Sequence, residues 1–184
     1  LAGLKVVDFG RSIVGPVVSR FLTLHGATVV RVESREAPDL KRLSGPFKDG
    51  QVKEDHSVGF SNMHCNKYGV TLNLKHPQGN EMTKKLLGWA DVVVENYSVG
   101  TMEGLGLGYD ELRRINPGLM MISCSGQGTK GPHSGQPGWA MFMVALTGIS
   151  TLTGLPSSDP SYPMAPFPDE LPPRLAVTGL LAAL

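Results

Sequence analysis

Short apolar runs recur along the chain, each followed by glycine or a polar cluster and then by a stretch of helical period. Lys5-Val6-Val7-Asp8-Phe9, closed by Gly10, reads as a buried strand. Pro16 then opens a helix running to about Leu24, with Gly26 just past its end. Thr28 to Glu33 predicts a second strand, alternating Gly69 to Leu74 a third, Asp91 to Glu95 a fourth, and Leu119 to Cys124 a fifth. Between them Pro77 starts a helix with Met82, Leu86, Leu87 and Trp89 on its inner face. Tyr109 to Ile115 is a further helix, stopped by Asn116-Pro117-Gly118. Strand and helix alternate throughout, which predicts an α/β fold: an open, mostly parallel, Rossmann-like sheet flanked by helices.

Residues 34–65 lack this period and carry Pro38, Gly45, Pro46 and Gly50, so they form a long excursion with one short helix. Loops of that length inside a compact domain are usually functional. Ser125 to Pro137 is a glycine-rich loop, Trp139 to Gly148 a helix, and Leu155 to Pro173 a proline-rich connection into a last helix, Arg174 to Leu184. That last helix is apolar on many sides and has no stop signal, and residue 1 is not Met. Residues 1–184 therefore read as the N-terminal part of a longer polypeptide.

Composition narrows the function. Seventeen basic and sixteen acidic residues leave a net charge of +1 and no basic tract, which argues against nucleic acid as a partner. No apolar run reaches the length of about 18 residues that a membrane span needs. Cys65 and Cys124 are far apart, without CxxC spacing, which excludes a thiolate zinc site and fits a reduced, cytoplasmic setting. The five histidines form no HxxxH pair, so no metal site is expected.

The turn Gly10-Arg11-Ser12-Ile13-Val14-Gly15-Pro16 is neither GxGxxG nor a P-loop. Glu33 stands where a Rossmann acid would meet a ribose, although a solvated strand end is the commoner case. Gly104-Leu105-Gly106-Leu107-Gly108 reads as a flexible connector, and Cys124 as a buried structural thiol. The strand ends are polar and glycine-bearing, which suits a phosphate-containing ligand. Asp169, in Pro166-Phe167-Pro168-Asp169-Glu170, is set either to cap the last helix or to act as a rigidly held covalent nucleophile, with Glu170 its competitor.

An ordered set of short blocks resembles the family III CoA-transferases, the CaiB/BaiF group that includes the carnitine and formyl-CoA transferases. The blocks are Leu4 to Phe9 with Val14-Gly15-Pro16, Gly26 to Glu33, and Asn66 to Lys75. They continue with Asp91 to Tyr97, Gly106 to Tyr109 with Asn116-Pro117, and Ser123 to Gly126 with Gly131-Pro132. The resemblance implies that Asp169 is the nucleophile, and that Leu72, Lys75, Asn96 and Tyr97 contact coenzyme A. Three positions depart from the family pattern: Ile13 in place of a glutamine, Ser34 in place of an arginine, with Arg35 next door, and Gly104 in place of another arginine.

The implied reaction moves CoA from an acyl-CoA thioester to a carboxylic acid through an aspartyl mixed anhydride and an aspartyl-CoA thioester. Coenzyme A is a co-substrate; no permanent cofactor is implied, and the active form is an interlocked homodimer. The related α-methylacyl-CoA racemases use a histidine in the segment that here reads Gly138-Trp139-Ala140, and tryptophan cannot exchange a proton. A racemase or epimerase, or a non-catalytic CoA-binding domain, is the alternative.

Overall fold

The computed structural model describes residues 1–163 and 167–184. Five strands, β1 (Lys5–Asp8), β2 (Thr28–Glu33), β3 (Tyr68–Thr71), β4 (Val92–Glu95) and β5 (Met120–Ser123), form one sheet in the order β3-β2-β1-β4-β5. Every pairing is parallel. Parallel neighbours need long crossovers, and helices supply most of them. These are α1 (Val14–Leu24), α2 (Val58–Met63), α3 (Pro77–Trp89), α4 (Thr101–Gly104) and α5 (Tyr109–Ile115). After β5 come α6 (Ala140–Leu146), α7 (Ile149–Leu152) and α8 (Phe167–Ala183).

Strand side chains alternate between faces, and both faces are covered. Val7 and Val93, paired in register, pack with Phe9, Leu87, Leu107 and Leu112 on one side. Val6, Val29, Val92 and Val94 pack with Val18, Leu22 and Leu180 on the other, under α1 and α8. Each fully buried apolar side chain contributes about 1.5–3 kcal/mol, so the hydrophobic layers hold the sheet.

Three expectations need correction. On α3 the buried residues are Thr83 and Leu87, whereas Met82 and Trp89 are exposed. Trp89 instead lies under the Lys5 ammonium, 5.8 Å from its ring centre. The glycine connector is pinned, because Leu107 is buried and Leu105 packs against the same core. The last helix begins at Phe167 and takes in Pro172 and Pro173. Residues 174–183 dock on α1 strongly enough to carry the helix back through them. The two prolines lack N–H groups, so the Pro168 and Asp169 carbonyls have no helical donor. Residues 164–166 of the proline-rich connection, Pro166 among them, lie outside the described residues.

The excursion after β2 holds three 3-10 turns (Leu40–Leu43, Lys48–Gly50, Glu54–His56) and α2, the one short helix expected. From β3 at the sheet edge the chain crosses to the far side of β1 to form β4. The carboxyl ends of β1 and β4 thus flank the switch point where ligands of open α/β sheets bind.

Candidate active site

Asp8 ends β1 fully buried. Its Oδ1 accepts the Gly10 N–H at 2.7 Å, and its Oδ2 accepts Ser19 Oγ at 2.7 Å and Lys67 Nζ at 3.0 Å. The turn that follows folds back so tightly that a Cβ on Gly15 would lie 2.6 Å from the Gly10 Cα. Only glycine fits there. From the neighbouring strand end, Asn96 accepts the Arg11 N–H at 2.7 Å and donates to the Arg11 carbonyl at 3.0 Å. Its amide, expected to contact the ligand, is engaged on this turn.

Behind the turn lies a buried ionic network that the sequence reading missed. Arg31 donates to Asp39 at 2.6 Å and to the Gly10 carbonyl. Asp39 also accepts the N–H groups of Ser12, at 3.2 Å, and Lys41, at 2.8 Å. His64 Nε2 stands 3.6 Å from Asp39, and Lys67 joins His64 to Asp8. Burial alone would raise the Asp8 carboxyl, but Lys67 and Arg31 outweigh it and hold it below the usual carboxylate range. Burial acts the same way on Asp39, yet His64, the Lys41 N–H and Arg31 bring it down to about 2. Burial lowers both His64 and Lys67. A signal for this network exists: Asp8 and Arg31 interrupt apolar strands, and a buried charge requires a partner.

Glu33 is neither a free ribose acceptor nor a solvated terminus. Its Oε1 accepts Arg42 Nε at 2.8 Å and the Asp39 N–H at 3.1 Å, and its Oε2 accepts a second Arg42 donor at 3.1 Å.

Two adjoining clefts open over the strand ends. The first, about 400 Å³, is lined by Leu72, Lys75 and Tyr97, together with Arg11 and Ser34. Three of the expected ligand contacts therefore converge. Arg35 is exposed and lies outside this lining, and Arg11, which sequence reasoning passed over, brings a guanidinium instead. Gly104 lines a neighbouring groove with Lys75 and Lys84.

The second cleft, about 650 Å³, brings Asn96, Trp139 and Asp169 together with the 125–138 loop. Tyr97 and Ser98 line both clefts and so connect them. Asp169 sits in the first turn of α8, inside the helix and not at its cap, half-buried and without a hydrogen bond among the described residues. Burial pushes its carboxyl up, against the pull of Lys41. Glu170 instead pairs with Arg174 at 2.9 Å. Cys124 lines the same cleft, but burial pushes its thiol up to about 11, so it stays protonated at neutral pH. Among the described residues no group of His, Cys, Asp and Glu is placed to hold a metal ion, and no helix is long and apolar enough to cross a membrane.

Known proteins show the same architecture. A crystal structure of a CAIB/BAIF family protein from Brucella suis superposes with a TM-score of 0.88 at 33% identity, over 99% of this chain and 48% of that one. The succinyl-CoA–L-malate CoA-transferase beta subunit of Chloroflexus aurantiacus is 38% identical over 89% of this chain and 39% of its own length. The succinyl-CoA–D-citramalate CoA-transferase of the same organism is 33% identical over all of this chain and 45% of its own. The chain thus spans less than half the length of these relatives. The sequence profile of CoA-transferase family III matches residues 1–184 from end to end, and the chain belongs to that family.

Proposed function

We propose that this chain is the CoA-binding α/β part of an enzyme that moves CoA from an acyl-CoA thioester to a carboxylic acid, with Asp169 as the covalent nucleophile. One observation carries the reading. Asp169 is half-buried, without a protein hydrogen bond among the described residues, in a cleft that Tyr97 and Ser98 join to the one bearing Lys75 and Arg11. A carboxylate that is neither paired nor fully solvated keeps its electron pairs available for attack.

Asp169 attacks the thioester carbonyl carbon, the C–S bond breaks, and CoA thiolate leaves a mixed anhydride on the enzyme. The thiolate then attacks the Asp169 carbonyl carbon, releasing the donor acid and leaving an aspartyl-CoA thioester. An incoming carboxylate attacks that thioester and expels the thiolate to give a second anhydride. Thiolate attack on the acceptor's acyl carbon yields the new acyl-CoA and restores Asp169. The first cleft would hold CoA, with Leu72 and Tyr97 along its body and the cations of Lys75 and Arg11 toward its phosphates. Exposed Arg35 lies one residue beyond Ser34 of that lining.

Two copies would interlock, covering apolar side chains such as Trp139, Phe142, Leu146 and Leu175, which are more than half exposed here. Trp139, in the nucleophile's cleft, cannot shuttle the α-proton that a racemase moves. The test is an exchange assay on the full-length protein, with a panel of acyl-CoA thioesters and free acids. Transfer that needs the acceptor acid supports the reading, whereas loss of α-deuterium without an acceptor would favour a racemase.

A further inference from the structure

We infer that Asp39 is a positioning residue for CoA transfer: by holding the Ser12 N–H it fixes the Gly10–Val14 turn, which contributes to both clefts. The inference rests on the transfer reading above. Arg11 of this turn lines the first cleft and Val14 lines the cleft of Asp169, so a shift of the turn moves both walls at once.

Asp39 is fully buried although Arg35, Glu36, Ala37 and Leu40 around it are exposed. A charged side chain on an exposed loop is drawn inside only by groups that need it. Those groups are the guanidinium of Arg31, the His64 ring at 3.6 Å and the backbone of two turns. Ser12 has a φ of +62°, a left-handed conformation that L side chains other than Asn and Asp seldom adopt. Its N–H points at both Asp39 oxygens, each at 3.2 Å. Four more bonds secure the same turn: Arg11 donates to the Pro38 carbonyl at 2.8 Å, Arg31 to the Gly10 carbonyl, and Asn96 clasps the Arg11 backbone with two. Joining a strand to a helix requires none of this. The sheet register and the two apolar layers stand on other residues. A strained residue held by a buried anion between two clefts is the pattern of a site kept in a working geometry.

A double-substitution cycle on the full-length protein tests this. D39A removes the acceptor and is expected to lower kcat at least tenfold. S12G alone is expected to stay within about threefold of wild type, because glycine adopts the left-handed conformation without steric strain. S12G/D39A is expected to recover most of the loss in kcat, since the glycine no longer needs the carboxylate to stay in place. Where D39A does not fold, D39L, which fills the same space without an acceptor, takes its place in the same cycle.

Wild-type kinetics in a folded D39A or D39L protein overturns the inference. So does a double variant in which the two losses simply multiply, because Asp39 would then serve only to neutralise Arg31. A wild-type protein that transfers no CoA strikes the transfer reading instead. Hydrogen exchange at the Ser12 amide then judges the hold on the turn alone, with at least tenfold faster exchange expected in D39A and unchanged exchange contradicting it.

Discussion

The Asn96 carboxamide closes on the backbone of Arg11 from both sides, accepting its N–H at 2.7 Å and donating to its carbonyl at 3.0 Å. Because β1 and β4 are parallel neighbours, their carboxyl-end loops emerge together, and one side chain can fasten one loop to the other. Asn96→Ala is expected to cost about 1–3 kcal/mol, from two part-buried hydrogen bonds, as read by urea unfolding. A variant as stable as wild type would show that the clasp contributes nothing to the fold.

Removing Lys67 leaves the more distant Arg31, 3.9 Å away, as the one cation paired with the buried Asp8 carboxylate among the described residues. Lys67→Met is therefore expected to cost about 3–5 kcal/mol, the usual effect of breaking a buried pair from one side. Substituting the exposed pair partner Glu111 should cost under about 1 kcal/mol. Comparable losses at the two sites would contradict the burial argument.

Acid should destabilise the protein in two stages. Burial holds His64 below its ordinary value, so the unfolded chain binds the proton first, and stability falls as pH drops through about 6.5. Asp39, at about 2 when folded, contributes stability that is complete above the unfolded aspartate value of about 3.9. That share, about 2 kcal/mol, disappears as pH falls toward 2. Denaturation midpoints measured from pH 8 to pH 2 check the sequence of events, and His64→Gln should remove the first stage and shrink the second, because His64 is one of the groups that lower Asp39.

Lys75 is exposed at the mouth of the first cleft and makes no ion pair among the described residues. Lys75→Ala should weaken CoA binding by about 1–2 kcal/mol, a charge-assisted contact, with unfolding unchanged. Unaltered affinity in calorimetry would put the phosphates elsewhere.

The strands were legible because each is a short, mostly apolar or alternating run bounded by glycine or polar residues, and β1, β2 and β4 match their expected spans within a residue. The start of α8 was not. Pro172 and Pro173 signal a helix boundary locally, and the packing of Leu180 against Val18 and Leu22 overrides that signal. Leu72, Lys75 and Tyr97 were named together by the family resemblance, and one cleft over the strand ends is lined by all three. Asp39, His64 and Lys67 could not be placed together, since they come from aperiodic segments that only the fold brings to Asp8 and Arg31. The register pairing Asp8 with Arg31 is what joins them, and no local pattern states it.

In the proposed reaction Asp169 carries first the acyl group and then CoA. The measurement is hydroxylamine trapping on the full-length protein incubated with acyl-CoA and no acceptor, followed by mass spectrometry of the peptide containing Pro168-Asp169-Glu170. A hydroxamate on Asp169 is predicted, because hydroxylamine attacks anhydrides and thioesters and leaves free carboxylates alone. It should persist in Glu170→Ala and vanish in Asp169→Asn, a variant that should still fold because the Asp169 carboxylate makes no hydrogen bond to another described residue. A label on Glu170 or Cys124, or full transfer by Asp169→Asn, would contradict the account.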